Sequence, residues 1–124
     1  MKRWIAALSF FFILILPLWA QDDYYQRQAE KYTREAEYYQ KKADGYRREA
    51  EYYLKKAEGY EREAAYYLRR NDTSRAKTQQ RYAKEATDKA NTQLRYAKEA
   101  DEKAAMYLKW AADALRRYED SFKR

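Results

Sequence analysis

The stretch AEKYTREAEYYQKKADGYRREAEYYLKKAEGYEREAAYY, residues 29–67, repeats every seven residues. Each block of seven begins with an alanine and carries a tyrosine at its fourth position. Alternating steps of three and four place both residue types on one face of an α-helix, which is the heptad pattern of helices that coil around one another. The predicted packing seam of this half contains Ala29, Ala36, Ala43, Ala50, Ala57 and Ala64, together with Tyr32, Tyr39, Tyr46, Tyr53, Tyr60 and Tyr67.

A longer repeat of fourteen residues is superimposed on the heptads. Tyr38, Tyr52 and Tyr66 share one helix line with Gly45 and Gly59, so large and empty positions alternate along it. This alternation predicts a second contact surface, on which a tyrosine ring of one copy enters the space above a glycine of another. The alternative interpretation is an amphipathic rim left by duplication of the repeat.

The second half of the chain keeps the seven-residue alanine spacing without the regular tyrosines. Its seam is predicted to contain Ala76, Ala83, Ala90, Ala97, Ala104 and Ala111. Leucines and aromatic residues flank this line on both sides, namely Leu94, Leu108, Leu115 and Phe122 on one side and Tyr82, Tyr96 and Trp110 on the other. An apolar stripe of this width is typical of a helix that contacts more than one neighbour.

The two halves are separated by a break in the pattern. Continuing the alanine line of the first half leads to Asn71, and continuing the tyrosine line leads to Ser74. Asn71 suits a left-handed helix stop, and Asp72, Thr73 or Ser74 suits the N-cap of a following helix. These residues predict a turn over residues 71–74.

We therefore predict an all-α fold, a long antiparallel helical hairpin with a coiled-coil Ala/Tyr seam, assembled into oligomers. Helix 1 is predicted over residues 21–70 and helix 2 over residues 75–124. This register places Tyr53 near Ala90 and Leu94, and Tyr25 near Tyr118 and Phe122. One continuous helical rod is the alternative, because the turn contains neither glycine nor proline.

The first twenty residues have the pattern of a secretory signal peptide. Lys2 and Arg3 precede an apolar run that extends to Leu16, and the small residue Ala20 is followed by the polar Gln21. We expect a signal peptide over residues 1–20, cleavage between Ala20 and Gln21, and a periplasmic or extracellular protein. An uncleaved N-terminal membrane anchor is the alternative, although the apolar run is shorter than the roughly 20 residues that span a bilayer.

The residue inventory argues against catalysis. The chain contains no histidine and no cysteine, which removes the side chains that most often act as catalytic bases or bind transition metals. No pair of nucleophile and base is found either. We expect a protein that is not an enzyme, has no cofactor, holds no metal ion and takes no small-molecule substrate.

The preferred functional interpretation is an exported structural or scaffolding protein that self-associates through its Ala/Tyr faces into a homo-oligomer. The formal net charge of +7 supports an alternative, a non-enzymatic binding module for an anionic envelope polymer or a protein partner. A membrane surface is a second anionic target, and nucleic acid is disfavoured because acidic and basic residues are interleaved. A redox or cross-linking role of the tyrosines is a third interpretation. The alanine spacing is similar to that of the alanine zippers of bacterial envelope lipoproteins, but no cysteine is present to carry a lipid.

Overall fold

The computed structural model describes residues 20–123, and almost all of them are helical. Helix α1 comprises Ala20–Arg69 and helix α2 comprises Thr73–Phe122, with 50 residues each. The two helices pack against each other, so the predicted all-helical hairpin is confirmed and the continuous rod is wrong. The predicted signal peptide over residues 1–20 lies outside the described residues except for Ala20.

Composition explains why both segments are helical. They contain no proline and are rich in alanine, glutamate, lysine and arginine, which are strong helix formers. Glu51 and Lys55 form an ion pair four residues apart, at 3.3 Å, and Asp44 pairs with Arg47, three residues away, at 2.9 Å. These pairs are exposed and each contributes little to stability.

The end of α1 has the hydrogen bonds of a Schellman motif. The amide of Asp72 donates to the carbonyl of Tyr67 at 2.9 Å, and the amide of Asn71 donates to the carbonyl of Leu68 at 3.0 Å. Asn71 has a φ of 60°, the left-handed conformation that this motif requires. Asn71 therefore ends the helix, as its position in the sequence suggests.

The start of α2 is capped by Asp72. Its Oδ1 atom accepts a hydrogen bond from the backbone amide of Arg75 at 3.1 Å, and its carbonyl accepts one from the amide of Ala76 at 3.1 Å. Because the cap lies at Asp72, Thr73 and Ser74 belong to the first turn of α2 rather than to the connection predicted over residues 71–74. The connection between Arg69 and Thr73 consists of three residues.

The described chain divides into two compact units, each containing part of both helices. The turn-proximal unit is Ala36–Ala105, and the terminal unit combines the described residues up to Glu35 with those from Met106. In the turn-proximal unit Ala43 packs with Ala97 and Ala100, and the seam tyrosines on either side of Ala43 contact this cluster. The alanines of both predicted seams are at most 5% exposed: Ala29, Ala36, Ala43, Ala50, Ala57, Ala64, Ala76, Ala83, Ala90, Ala97, Ala104 and Ala111.

A second line of buried alanines on α2 was not predicted from the sequence. Ala86, Ala100 and Ala114 are 5–7% exposed and lie three residues beyond alanines of the first line. Tyr118, in the terminal unit, is 2% exposed and its ring packs edge-on against Phe122 at 4.9 Å. Within the described residues, neither helix is long and apolar enough to cross a membrane.

Candidate binding surface

Helix α1 displays a line of exposed tyrosines beside the buried interface. Tyr38 is 51% exposed, Tyr52 is 53% exposed and Tyr66 is 41% exposed. Each ring packs at a steep angle against the seam tyrosine that follows it in the chain, with centroids 5.2–5.4 Å apart. This edge-on geometry is favoured by the charge distribution of aromatic rings. The half-buried seam tyrosines thus hold the exposed rings in place.

A basic side chain covers each of these exposed rings from one helical turn further along. The Lys42 Nζ atom lies 5.2 Å from the centroid of Tyr38, Lys56 Nζ lies 5.1 Å from that of Tyr52, and the Arg70 guanidinium carbon lies 4.8 Å from that of Tyr66. These are cation–π distances. The exposed face of α1 is therefore both aromatic and cationic.

The tyrosines also keep both of these lysines charged to higher pH. The pKa of Lys42 is raised, chiefly by a side-chain hydrogen bond with Tyr38 and then by the charge of that phenol group. The pKa of Lys56 is raised by the same two effects from Tyr52. Both ammonium groups remain fully charged at neutral pH.

The glycines on the exposed tyrosine line have open space above them. A Cβ atom built on Gly59 meets nothing within 4 Å, and one built on Gly45 meets only the Arg48 Nη2 atom, at 4.0 Å. Neither glycine has a positive φ. The predicted assembly residues Tyr38, Gly45, Tyr52, Gly59 and Tyr66 are therefore accessible, in contrast to the buried alanines.

In the turn-proximal unit, seam tyrosines of α1 face a line of α2 that alternates between basic and aromatic residues. As the position on α1 advances by seven residues, its partner on α2 moves back by seven. The pairs, with distances to or between ring centroids, are Tyr39 with Lys103 at 5.3 Å, Tyr46 with Tyr96 at 5.5 Å, Tyr53 with Lys89 at 5.7 Å, Tyr60 with Tyr82 at 5.5 Å and Tyr67 with Arg75 at 5.7 Å. The position of Tyr53 beside Lys89 agrees with the register predicted from the sequence.

These side chains form a small cleft between the two helices of the turn-proximal unit. Its volume is about 90 Å³, and it is lined by Tyr39, Lys42, Tyr46, Tyr96, Glu99, Ala100 and Lys103. The lining brings three phenol rings, two ammonium groups and one carboxylate together. Such a cleft offers aromatic surface, hydrogen-bond donors and an acceptor to one ligand.

The terminal unit contains a larger groove of related composition. Its volume is about 390 Å³, and it is lined by Tyr24, Tyr25, Gln28, Tyr32, Trp110, Asp113, Ala114 and Arg117. Tyr32 packs against the indole of Trp110 at 5.6 Å and against Tyr107 at 6.2 Å. The groove also brings Tyr25 to the same segment of α2 as Arg117, which neighbours its predicted partner Tyr118.

The wide apolar stripe predicted for α2 is only partly buried against α1. Tyr82 and Tyr96 contact tyrosines of α1, yet both remain 38% exposed. Leu94, Leu108 and Leu115 are 41–45% exposed. The clefts themselves were not predicted, although the fourteen-residue recurrence of tyrosine, lysine and glutamate in both halves indicates them once the register is known.

The described residues contain no group of three or more acidic side chains arranged to hold a metal ion. The chain matches no protein-family model, no curated protein and no solved structure.

Proposed function

We propose that the protein is an exported, non-enzymatic structural protein, a coiled-coil hairpin that self-associates through the exposed Tyr/Gly line of α1. The observation that carries this proposal is the pair of glycines. Glycine in a helix interior costs about 1 kcal/mol relative to alanine. Among the residues that the structure describes, no backbone conformation and no close contact requires Gly45 or Gly59. Space for a second copy provides a reason for both.

Burial within the chain determines which surface is free for assembly. The seam alanines of both helices are covered inside the hairpin, so they are not accessible to a second copy. Tyr38, Tyr52 and Tyr66 are exposed beside the open glycine positions, and a tyrosine ring buries a large apolar area when it enters such a gap. The proposal therefore assigns assembly to this line rather than to the alanines.

The proposal is tested by filling the gaps. The protein is compared with a Gly45→Leu/Gly59→Leu variant by light scattering and small-angle X-ray scattering over a concentration series. We expect the mass of the unaltered protein to grow with concentration and that of the leucine variant to stay at its lowest value. Moderate salt should favour assembly, because it screens repulsion among the basic residues that line α1.

Two control variants test whether assembly is lost because the space above the glycines is filled, and not because glycine is replaced or exposed leucine is added. Gly45→Ala/Gly59→Ala improves helix propensity while adding only one methyl group per site, and it should assemble. Ala65→Leu/Ala112→Leu adds exposed leucines elsewhere on the helices and should also assemble. A leucine variant at the glycines that assembles as the unaltered protein does would contradict the proposal.

A second candidate function is binding of an anionic polymer outside the cell membrane. It is favoured by one specific observation, a line of α1 in which every heptad contributes a basic residue. This line contains Arg27, Arg34, Lys41, Arg48, Lys55, Arg62 and Arg69, all exposed. Closely spaced positive charges on one helix face attract polyanions in a manner that salt weakens. Salt therefore acts in opposite directions on the two candidate functions.

A further inference from the structure

The residues that line the cleft of the turn-proximal unit recur within that unit. Moving fourteen residues forward on α1 and fourteen back on α2 replaces each lining residue with one of the same type. The second set is Tyr53, Lys56, Tyr60, Tyr82, Glu85, Ala86 and Lys89. Every side chain type of the first cleft is thus present again in the same arrangement along the two helices.

The contacts within the two sets agree closely. Tyr60 and Tyr82 are 5.5 Å apart at an angle of 53°, and Tyr46 and Tyr96 are 5.5 Å apart at 55°. The lysine of α2 lies 5.7 Å from the Tyr53 ring in one set and 5.3 Å from the equivalent ring in the other. The two sets of side chains therefore have matching ring and cation distances. They lie about 21 Å apart along the helices at 1.5 Å per residue.

The groove of the terminal unit contains the same positions with altered residues. From the first cleft, a step of fourteen residues in the opposite direction, back on α1 and forward on α2, leads from Lys42 to Gln28, from Tyr96 to Trp110 and from Glu99 to Asp113. The aromatic walls and the carboxylate are retained, whereas one of the two cations is replaced by an amide. All three repeats thus combine aromatic rings with both hydrogen-bond donors and an acidic acceptor.

We propose that these repeated clefts each bind an acidic sugar residue, the bound sugars being about 21 Å apart along one polysaccharide chain. This inference rests on the second candidate function and not on self-association. The C–H faces of a sugar ring pack against tyrosine, its hydroxyl groups donate to the glutamate, and its carboxylate binds the ammonium groups. Two ammonium groups against one carboxylate leave each turn-proximal cleft positively charged, which matches one anionic group per sugar.

The carboxylate argues against nucleic acid as the ligand. Glu99 lines the cleft beside the aromatic rings, and a DNA strand has no hydroxyl groups along its backbone that could donate to this carboxylate. Sugar hydroxyl groups instead use this carboxylate as an acceptor. Two clefts within the turn-proximal unit also suit a polymer, because binding at one cleft raises the effective concentration of polymer at the other.

The test measures binding of the protein to polygalacturonate, a polymer of uronic acid, by isothermal titration calorimetry. Neutral dextran and a single-stranded oligonucleotide serve as comparison ligands. We expect binding of polygalacturonate only. Preferred binding of the oligonucleotide, or no binding of polygalacturonate, would overturn the inference.

A matched pair of variants tests whether the clefts hold the polymer. Lys42→Gln/Lys56→Gln removes a cation from each turn-proximal cleft, and the outer variant Lys84→Gln/Lys98→Gln removes the same charge from exposed positions of α2 that lie outside the clefts and outside the basic line of α1. We expect the cleft variant to lose about tenfold in affinity, the factor that corresponds to about 1.4 kcal/mol, and the outer variant to lose less than about twofold. Equal losses in both variants would show general charge attraction and overturn the assignment to the clefts.

A third variant tests the aromatic walls. Tyr82→Leu/Tyr96→Leu should reduce affinity while circular dichroism shows that the helices remain. Unchanged affinity in a folded variant would contradict stacking. Light scattering without polymer gives a separate reading of self-association, so failure of polymer binding is distinguishable from failure of the assembly proposal.

Discussion

The two helices present different residues to the interface that they share. In the turn-proximal unit α1 alternates small and large residues, and Tyr39 and Tyr46 pack on either side of Ala43. Helix α2 contributes two small residues to the same cluster, Ala97 and Ala100. Because packed interiors leave little free volume, the residues that α2 contributes to this buried cluster are small, whereas Tyr96, which also packs against Tyr46, remains partly exposed. The tyrosines of α1 therefore fit in the interface because the facing positions of α2 are alanines.

The largest expected effect comes from breaking this division of roles. Ala100→Tyr places a third ring where Tyr39 and Tyr46 already contact the alanine cluster, and such overpacking costs about 1–3 kcal/mol. We expect the free energy of unfolding to fall by that amount. Urea unfolding followed by circular dichroism, at one fixed protein concentration, measures it.

The matched control uses the same heptad line of α2. Gln93 lies one heptad before Ala100 and is half-buried, and the corresponding position two heptads later is Tyr107. Gln93→Tyr should therefore lower the free energy of unfolding by less than Ala100→Tyr does, because the half-buried Gln93 side chain already occupies space that the ring can take. If both variants lost equal stability, the proposed difference between the two helices would be wrong.

Much of this division could be predicted from the sequence. Heptad spacing identified the alanine seams, because a buried line repeats every seven residues whatever its neighbours are. The line of Ala86 and Ala100 was missed, since alanine is also a common exposed residue in helices and carries no distinct pattern by itself. The cleft was missed because the predicted register shows which residues are neighbours but not that Tyr39, Tyr46 and Tyr96 leave space between them.

A second effect concerns the turn that allows the two helices to face each other. Asn71→Ala places a less tolerant side chain at a φ of 60°, and left-handed backbone costs a residue with a Cβ atom about 1–2 kcal/mol. Asparagine offsets part of this cost, so we expect a loss of about 1 kcal/mol relative to the unaltered protein. Thermal unfolding by circular dichroism should show a lower Tm.

Two companion variants identify the cause of that loss. Asn71→Gly should retain the Tm or raise it slightly, because glycine adopts the left-handed conformation without strain. Asn91→Ala, at an exposed position within α2, should be neutral or stabilising, since alanine has the higher helix propensity. A glycine variant as unstable as the alanine variant would show that backbone strain is not the reason.

The smallest expected effect concerns the spacing between each basic residue and its tyrosine, which differs between the two helices. In α1 a lysine follows the tyrosine by four residues, whereas in α2 Arg81 and Arg95 directly precede Tyr82 and Tyr96, with guanidinium carbons 5.5 and 5.6 Å from the ring centroids. The first arrangement raises the pKa of Lys42 and of Lys56. Tyr38→Phe removes the hydroxyl that raises the pKa of Lys42, so we expect this pKa to fall toward 10.5.

The measurement is a ¹³C NMR titration of the reductively methylated lysines. Lys56 in the same sample is an internal control, because Tyr52 is retained and its raised pKa should not move. A pKa that is higher in the folded state gives stabilisation that is present below pH 10.5 and is lost as the pH rises through the folded-state pKa. The stabilising effect is small because the ammonium group is fully exposed to solvent. Parallel movement of both lysines would contradict a local effect of Tyr38 and point to a change in the whole helix.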